Sequence, residues 1–113
     1  MFTAVGLGAF GAHALRGHLD PDMAVVWQAA VQYHGWHAIA LLGVGSLLVR
    51  FPNSRGFQLT AWLFVAGNLL FAGSLYVIAL TGARSLGLIT PLGGCAFLAG
   101  WAVFAWSAWR TAR

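Results

Sequence analysis

Four apolar runs, Met1 to Leu15, Pro21 to Val49, Phe57 to Thr81 and Leu88 to Trp109, are separated by short polar breaks. Crossing about 30 Å of hydrocarbon takes roughly 20 helical residues, so the last three runs are long enough to cross as helices. Strand-like alternation is absent, and in lipid only helices or a closed barrel satisfy the backbone polar groups. The pattern predicts an all-α fold, an integral membrane four-helix bundle forming a single transmembrane domain over residues 1–113, with helices at about 1–15, 21–49, 55–81 and 88–109.

The breaks carry start and stop chemistry. Asp20-Pro21 reads as an N-cap followed by proline in the first turn, and Thr90-Pro91 repeats that logic for the last helix. Asn53 or Ser54 is expected to cap the third helix and Gly82 to end it. Leu86 to Ile89 then approach the last helix in another conformation. The first run is short, covering about 22 Å, and has no charged segment of the kind a signal peptide needs. It implies a short helix, a locally thinned bilayer or a start inside a longer helix. The second run, at about 42 Å, must tilt or leave Met23 to Trp27 at the interface.

Composition agrees with burial in lipid. The chain is 60% hydrophobic and 7% charged with a mean hydropathy of +0.80, against roughly 45–50% apolar and 25% charged in soluble domains. A water-soluble fold of 113 residues could not hide so much apolar surface. The net charge of +4 comes from arginines scattered singly between the runs, against Asp20 and Asp22. Scattered arginines make no basic groove, which excludes nucleic acid as a partner and leaves the lipid bilayer.

With four crossings, Arg50, Arg55, Arg110 and Arg113 share one side and Arg16 and Arg84 the other, so the positive-inside rule places both termini in the cytoplasm. Trp62, Trp106 and Trp109 would then form the inner aromatic belt, and Trp27, Tyr33 and Tyr76 the outer one. Cys95, the only cysteine, excludes an intramolecular disulfide and is expected to be a small packing residue.

The polar residues gather at the outer level. In the stretch VQYHGWHAIALL, Val31 to Leu42, Tyr33 and His37 are an i, i+4 pair and His34 and His37 an i, i+3 pair, so the three are expected on one face. His13, His18, Tyr76, Thr81, Arg84 and Thr90 reach a similar depth. Gln28 and Gln32 form a second i, i+4 pair, turned toward a different neighbour. Polar groups at such depth face other helices or a cavity. Helix-to-helix hydrogen bonding is one reading of His13, His34 and His37, with His37 bonded to His13 or Tyr76; His18 is expected to be solvated. Metal or haem ligation is the other reading, but helical zinc pairs use H-x-x-x-H and no carboxylate or thiolate lies nearby. No metal or cofactor is therefore assigned. No nucleophilic set, paired carboxylates or P-loop can be assembled.

Small residues recur at Ala4, Gly8 and Ala12 and at Ala96 and Gly100 with the spacing that lets helix backbones approach. Gly8 and Gly100 are expected at helix contacts, either within this chain or with another copy or membrane protein. No repeat suggests an inverted-repeat transporter.

Four ordered segments, LGAFGAHAL at Leu7 to Leu15, VQYHGWHAIALL, AGSLYVIALTG at Ala72 to Gly82 and LGLITPLGG at Leu86 to Gly94, resemble the YgdD-like family of small bacterial inner-membrane proteins. The resemblance covers nearly the whole chain and implies a multi-pass protein of the bacterial inner membrane, with His13, His34, His37, Tyr76, Thr90 and Pro91 on the family's motif positions. Family members usually carry several more residues before the first motif. The family has no established reaction to transfer. The resulting expectation is a non-catalytic accessory or structural membrane protein. The alternative is a small-molecule, cofactor or ion binding or transport unit built on the outer His/Tyr cluster. A closed hydrogen-bond network would favour the first and an open cavity the second.

Overall fold

In the computed structural model, which describes residues 1–113, the chain is all helical with no strand. Four helices make up the fold: α1 (Phe2–His13), α2 (Pro21–Arg50), α3 (Arg55–Thr81) and α4 (Thr90–Ala112). A 3₁₀ segment, Arg84–Leu88, leads into α4, in agreement with the separate conformation expected just before that helix. A π turn, Asn68–Ala72, interrupts α3.

Local chemistry sets the ends. Asp20 Oδ1 accepts from the Met23 amide at 2.9 Å with Pro21 in the first turn of α2. Ser54, rather than Asn53, caps α3, its Oγ accepting from the Phe57 amide at 3.4 Å. Gly82 ends α3 with φ at +69°, its amide bonded to the Ile78 carbonyl at 2.8 Å; a side chain there would be strained. Thr90 departs from its expected role as a cap. It is already helical and its hydroxyl leaves the backbone to meet Ser74 Oγ at 2.6 Å, tying α4 to α3.

α3 and α4 run antiparallel along a seam of alternating large and small residues. Phe64, Gly67 and Phe71 of α3 face Gly100, Phe97 and Gly93 of α4, with the Phe64 ring over Gly100, the Phe97 ring over Gly67 and the Phe71 backbone against Gly93. A Cβ on Gly100 would lie 2.7 Å from Phe64 Cε1, and one on Gly93 2.7 Å from both Cα and Cβ of Phe71. Gly93 thus backs onto the backbone of the π turn. Near the other end of the helices, Ser107 occupies the space over Gly56. Close backbone approach supplies dispersion contacts where no hydrophobic force acts between helices in lipid. The seam continues into the core, where Val44, Phe57, Phe64 and Phe97 are 4% exposed or less.

α3, with its 27 residues, and the segment Arg84–Ala112 are long and apolar enough to cross a membrane. α2 has the length, 30 residues or about 45 Å, but Gln28, Gln32, His34 and His37 interrupt its apolar surface. α1 is shorter than the expected 1–15 and reaches about 18 Å. It lies against only one half of α2, from Trp27 to His34, with Gly8 touching Val31.

Trp27, in the second turn of α2, packs against α1. It is 4% exposed, its indole Nε1 donates to the Leu7 carbonyl at 3.1 Å, and its ring fills the space over Gly11. Gly11, which the small-residue spacing did not single out, is therefore the position on α1 that seats the Trp27 indole. Ala12 is exposed and Ala96 is half-buried. Cys95 is exposed and not the packing residue expected.

Candidate functional site

His37 is 5% exposed and lies where α2, α3 and α4 meet. Its ring stacks on Phe97 of α4 with centroids 3.5 Å apart and meets the edge of Phe64 of α3 at 5.2 Å. Nδ1 lies 2.9 Å from the Tyr33 carbonyl one turn back. A carbonyl only accepts, so Nδ1 carries the hydrogen. Nε2 receives the indole N–H of Trp101 at 3.1 Å. An indole N–H only donates, so Nε2 is unprotonated. The two partners together assign His37 as the neutral Nδ1–H tautomer with both nitrogens engaged, which leaves no free lone pair for a metal ion. The expected partners, His13 and Tyr76, are not the ones found. Trp101 is the residue that sequence reasoning missed, because nothing local marks which tryptophan of the last run turns its N–H inward.

His34 belongs to a second network. Its Nδ1 lies 3.1 Å from the Tyr76 hydroxyl and its Nε2 3.2 Å from Thr3 Oγ1, so it links α2 to α3 and to α1. Both partners are hydroxyls that can give or accept a hydrogen. Tyr76 also packs edge-on against Trp27 at 4.8 Å. The i, i+3 pair therefore splits: Tyr33 and His37 share a face, their rings parallel to within 9° at 6.4 Å, whereas His34 turns toward α1. Tyr33 packs on Phe71 at 4.6 Å. Trp27 and Tyr76 thus both contribute to helix packing.

The remaining candidates stand apart. His13 is exposed at the last residue of α1. His18 is exposed in the following connection, with Nδ1 3.2 Å from the Arg16 carbonyl. Thr90 joins Ser74 as described. Asn68, in the π turn, buries its Oδ1 with no partner; an amide at the midpoint of an apolar run was its only sequence signal. No group of three or more His, Cys, Asp or Glu side chains converges anywhere.

Two grooves flank the start of α2. One, of about 420 Å³, lies between α1 and α2 and is lined by Gly8, Trp27, Val31, Arg16, Gln28 and Gln32 among others. The other, of about 480 Å³, lies toward α3 and α4 with Arg84 and Thr90 in its wall. Neither His34 nor His37 lines them.

Comparison with known proteins places these features in a family. The signature of a protein of unknown function, DUF423, matches residues 7–94. The UPF0382 membrane protein YwdK of Bacillus subtilis is 46% identical over 98 residues, covering 87% of this chain and 80% of its own. The UPF0382 membrane protein SH2409 of Staphylococcus haemolyticus is 44% identical over 98 residues, covering 87% and 79%. SERP0230 of Staphylococcus epidermidis is 44% identical over 100 residues, covering 88% and 80%. No solved structure matches. The matched region runs from α1 through the first turn of α4 and contains His34, His37 and Tyr76, and the chain belongs to the DUF423 family of small membrane proteins.

Proposed function

We propose that this chain crosses the bacterial cytoplasmic membrane four times, with both termini in the cytoplasm, and acts as a structural or accessory membrane protein without catalysis of its own. The observation that carries the reading is His37, whose two ring nitrogens are closed by the Tyr33 carbonyl and the Trp101 indole. A polar group buried in lipid costs several kcal/mol if unpaired, and this arrangement leaves neither nitrogen available to a substrate or metal. His34, Tyr76 and Thr3 join three helices in the same way. The distribution of arginines, with Arg50, Arg55, Arg110 and Arg113 at one end, supports the orientation. The YgdD-like motifs support the inner-membrane location.

Elemental and haem analysis of the purified wild type, His37→Gln and His37→Leu tests the reading. The expected result is no stoichiometric metal or haem in any of them. Zinc, copper or haem at one per chain in the wild type, lost in both variants, would overturn it in favour of a binding unit.

A further inference from the structure

The four arginines at the end where α2 and α4 finish and α3 begins divide into two pairs. Arg50 stacks over Phe51, its Cζ 5.4 Å from the ring centroid, and Arg113 stacks over Trp109 at 4.2 Å. Arg55 and Arg110 have no ring, hydrogen bond or ion pair within the chain, and both line one groove of about 450 Å³ between the start of α3 and the end of α4. The only side-chain carboxylates, Asp20 and Asp22, stand at the far end of α2, about 45 Å along that helix from Arg50. Two guanidiniums therefore share a groove with no acidic side chain near it.

Most of the other polar groups in the lining are already engaged. Ser54 Oγ accepts from the Phe57 amide, and the hydroxyls of Ser107 and Thr111 donate to the Val103 and Ser107 carbonyls of their own helix. Asn53, exposed in the connection before α3, adds an unbonded amide. Two cations and an NH₂ group are a donor set for an anion.

The lining also narrows the kind of anion. One guanidinium fork suffices for a carboxylate, whereas the tetrahedral oxygens of a phosphate can be shared by two. On α4 the lining passes from Thr111 and Arg110 to Trp106 and Val103, its only apolar members. Val103 lies roughly 10 Å further into the span than Arg110. Trp106 is 57% exposed, so the apolar wall is open surface for lipid to cover. A phosphate carried by a membrane lipid meets the arginines at the surface while its apolar part continues along that wall.

We propose that this groove binds the phosphate of an anionic glycerophospholipid between Arg55 and Arg110, with Asn53 as a further donor and Trp106 and Val103 against the glycerol and first acyl carbons. The proposal rests on the membrane placement given above. Basic pockets at a membrane surface hold anionic headgroups in this way, and a groove without a carboxylate offers nothing to the ammonium of a zwitterionic one.

Native mass spectrometry of the detergent-purified chain, titrated with phosphatidylglycerol or phosphatidylcholine, tests this against simple charge attraction. The wild type retains one phosphatidylglycerol in preference to phosphatidylcholine, and an excess of inorganic phosphate does not displace it. Arg55→Gln/Arg110→Gln weakens retention about tenfold, the effect expected from losing charge-assisted hydrogen bonds. Arg50→Gln/Arg113→Gln removes the same charge from the same end and leaves retention within about twofold of the wild type, since neither residue lines the groove. Equal weakening by the two double variants overturns the proposal and leaves only general attraction. Equal retention of the two lipids also overturns it, and displacement by inorganic phosphate assigns the groove to a soluble phosphate. Arg55 and Arg110 are exposed and make no contact that folding requires; the single variants Arg55→Gln and Arg110→Gln, each weaker than the wild type, decide if the double variant fails to fold. Retention in detergent does not depend on which side the termini face, so the fusion mapping and the His37 metal analysis fail separately from this reading.

Discussion

The indole N–H of Trp101 on α4 donates to Nε2 of His37 on α2 at 3.1 Å, closing the one ring nitrogen that the backbone of α2 does not already occupy. Trp101 is 45% exposed and His37 5%, so the indole turns its apolar face outward and its N–H inward, standing between the imidazole and lipid. Trp101→Phe keeps the ring and removes the donor. It should cost about 1 kcal/mol, read as a lower midpoint in a detergent or chemical unfolding series, with the helical content unchanged.

Replacing His37 itself separates hydrogen bonding from packing. His37→Gln loses the stack on Phe97 but can still donate to the Tyr33 carbonyl and accept from Trp101. His37→Leu fills similar volume and strands the Trp101 N–H. Leucine should therefore be worse than glutamine by about 1 kcal/mol in the same series, and equal midpoints would show that the bonds contribute nothing.

The glycines should rank by what a Cβ would meet. Gly93→Ala presses on the backbone of Phe71, which cannot rotate away, and should be the most destabilising. Gly100→Ala meets the Phe64 ring at 2.7 Å, and Gly8→Ala meets Val31 Cγ1 at 3.2 Å, where a small shift suffices. Gly43 has nothing within 4 Å, and Gly43→Ala should be neutral or stabilising by about 0.5–1 kcal/mol through helix propensity. Thermal midpoints of the four variants test the order; a neutral Gly93→Ala would refute the seam.

Gly11→Ala tests the seat of Trp27. A methyl group there displaces the indole and breaks its bond to the Leu7 carbonyl, so α1 should loosen while the α3–α4 pair stays intact. Limited proteolysis should cut within α1 sooner than in the wild type, with α2 to α4 protected as before.

For orientation, a fluorescent protein fused after Arg113 should fluoresce and an alkaline phosphatase fusion at the same point should be inactive. The reverse pair of signals would reject the cytoplasmic placement of the C-terminus.

Helix number and most boundaries were legible in the sequence because they depend on local signals: the apolar runs, Asp20-Pro21 and the glycine at 82. Tertiary partners were not. The i, i+3 spacing of His34 and His37 leaves them about 60° apart around α2, enough for one to face α1 and the other α4 once both neighbours are present. Thr90 has the sequence of a cap, yet Ser74 across the seam offers its hydroxyl a better partner than its own amides. The seat of Trp27 over Gly11 is visible only when the two helices are side by side. The small-residue pattern through Ala96 and Gly100 found the right helix and half of the seam. The other half needed the phenylalanines of α3 opposite Gly93 and Gly100.

The central claim, that His37 is sealed into the bundle as a neutral hydrogen-bonding residue, is tested most directly by ¹⁵N spectra of histidine-labelled protein in bilayers, with His37→Gln identifying the resonance. The account predicts a protonated Nδ1 and an unprotonated Nε2 whose shift moves in Trp101→Phe. A protonated Nε2, or a metal-coordinated signal insensitive to Trp101, would contradict it.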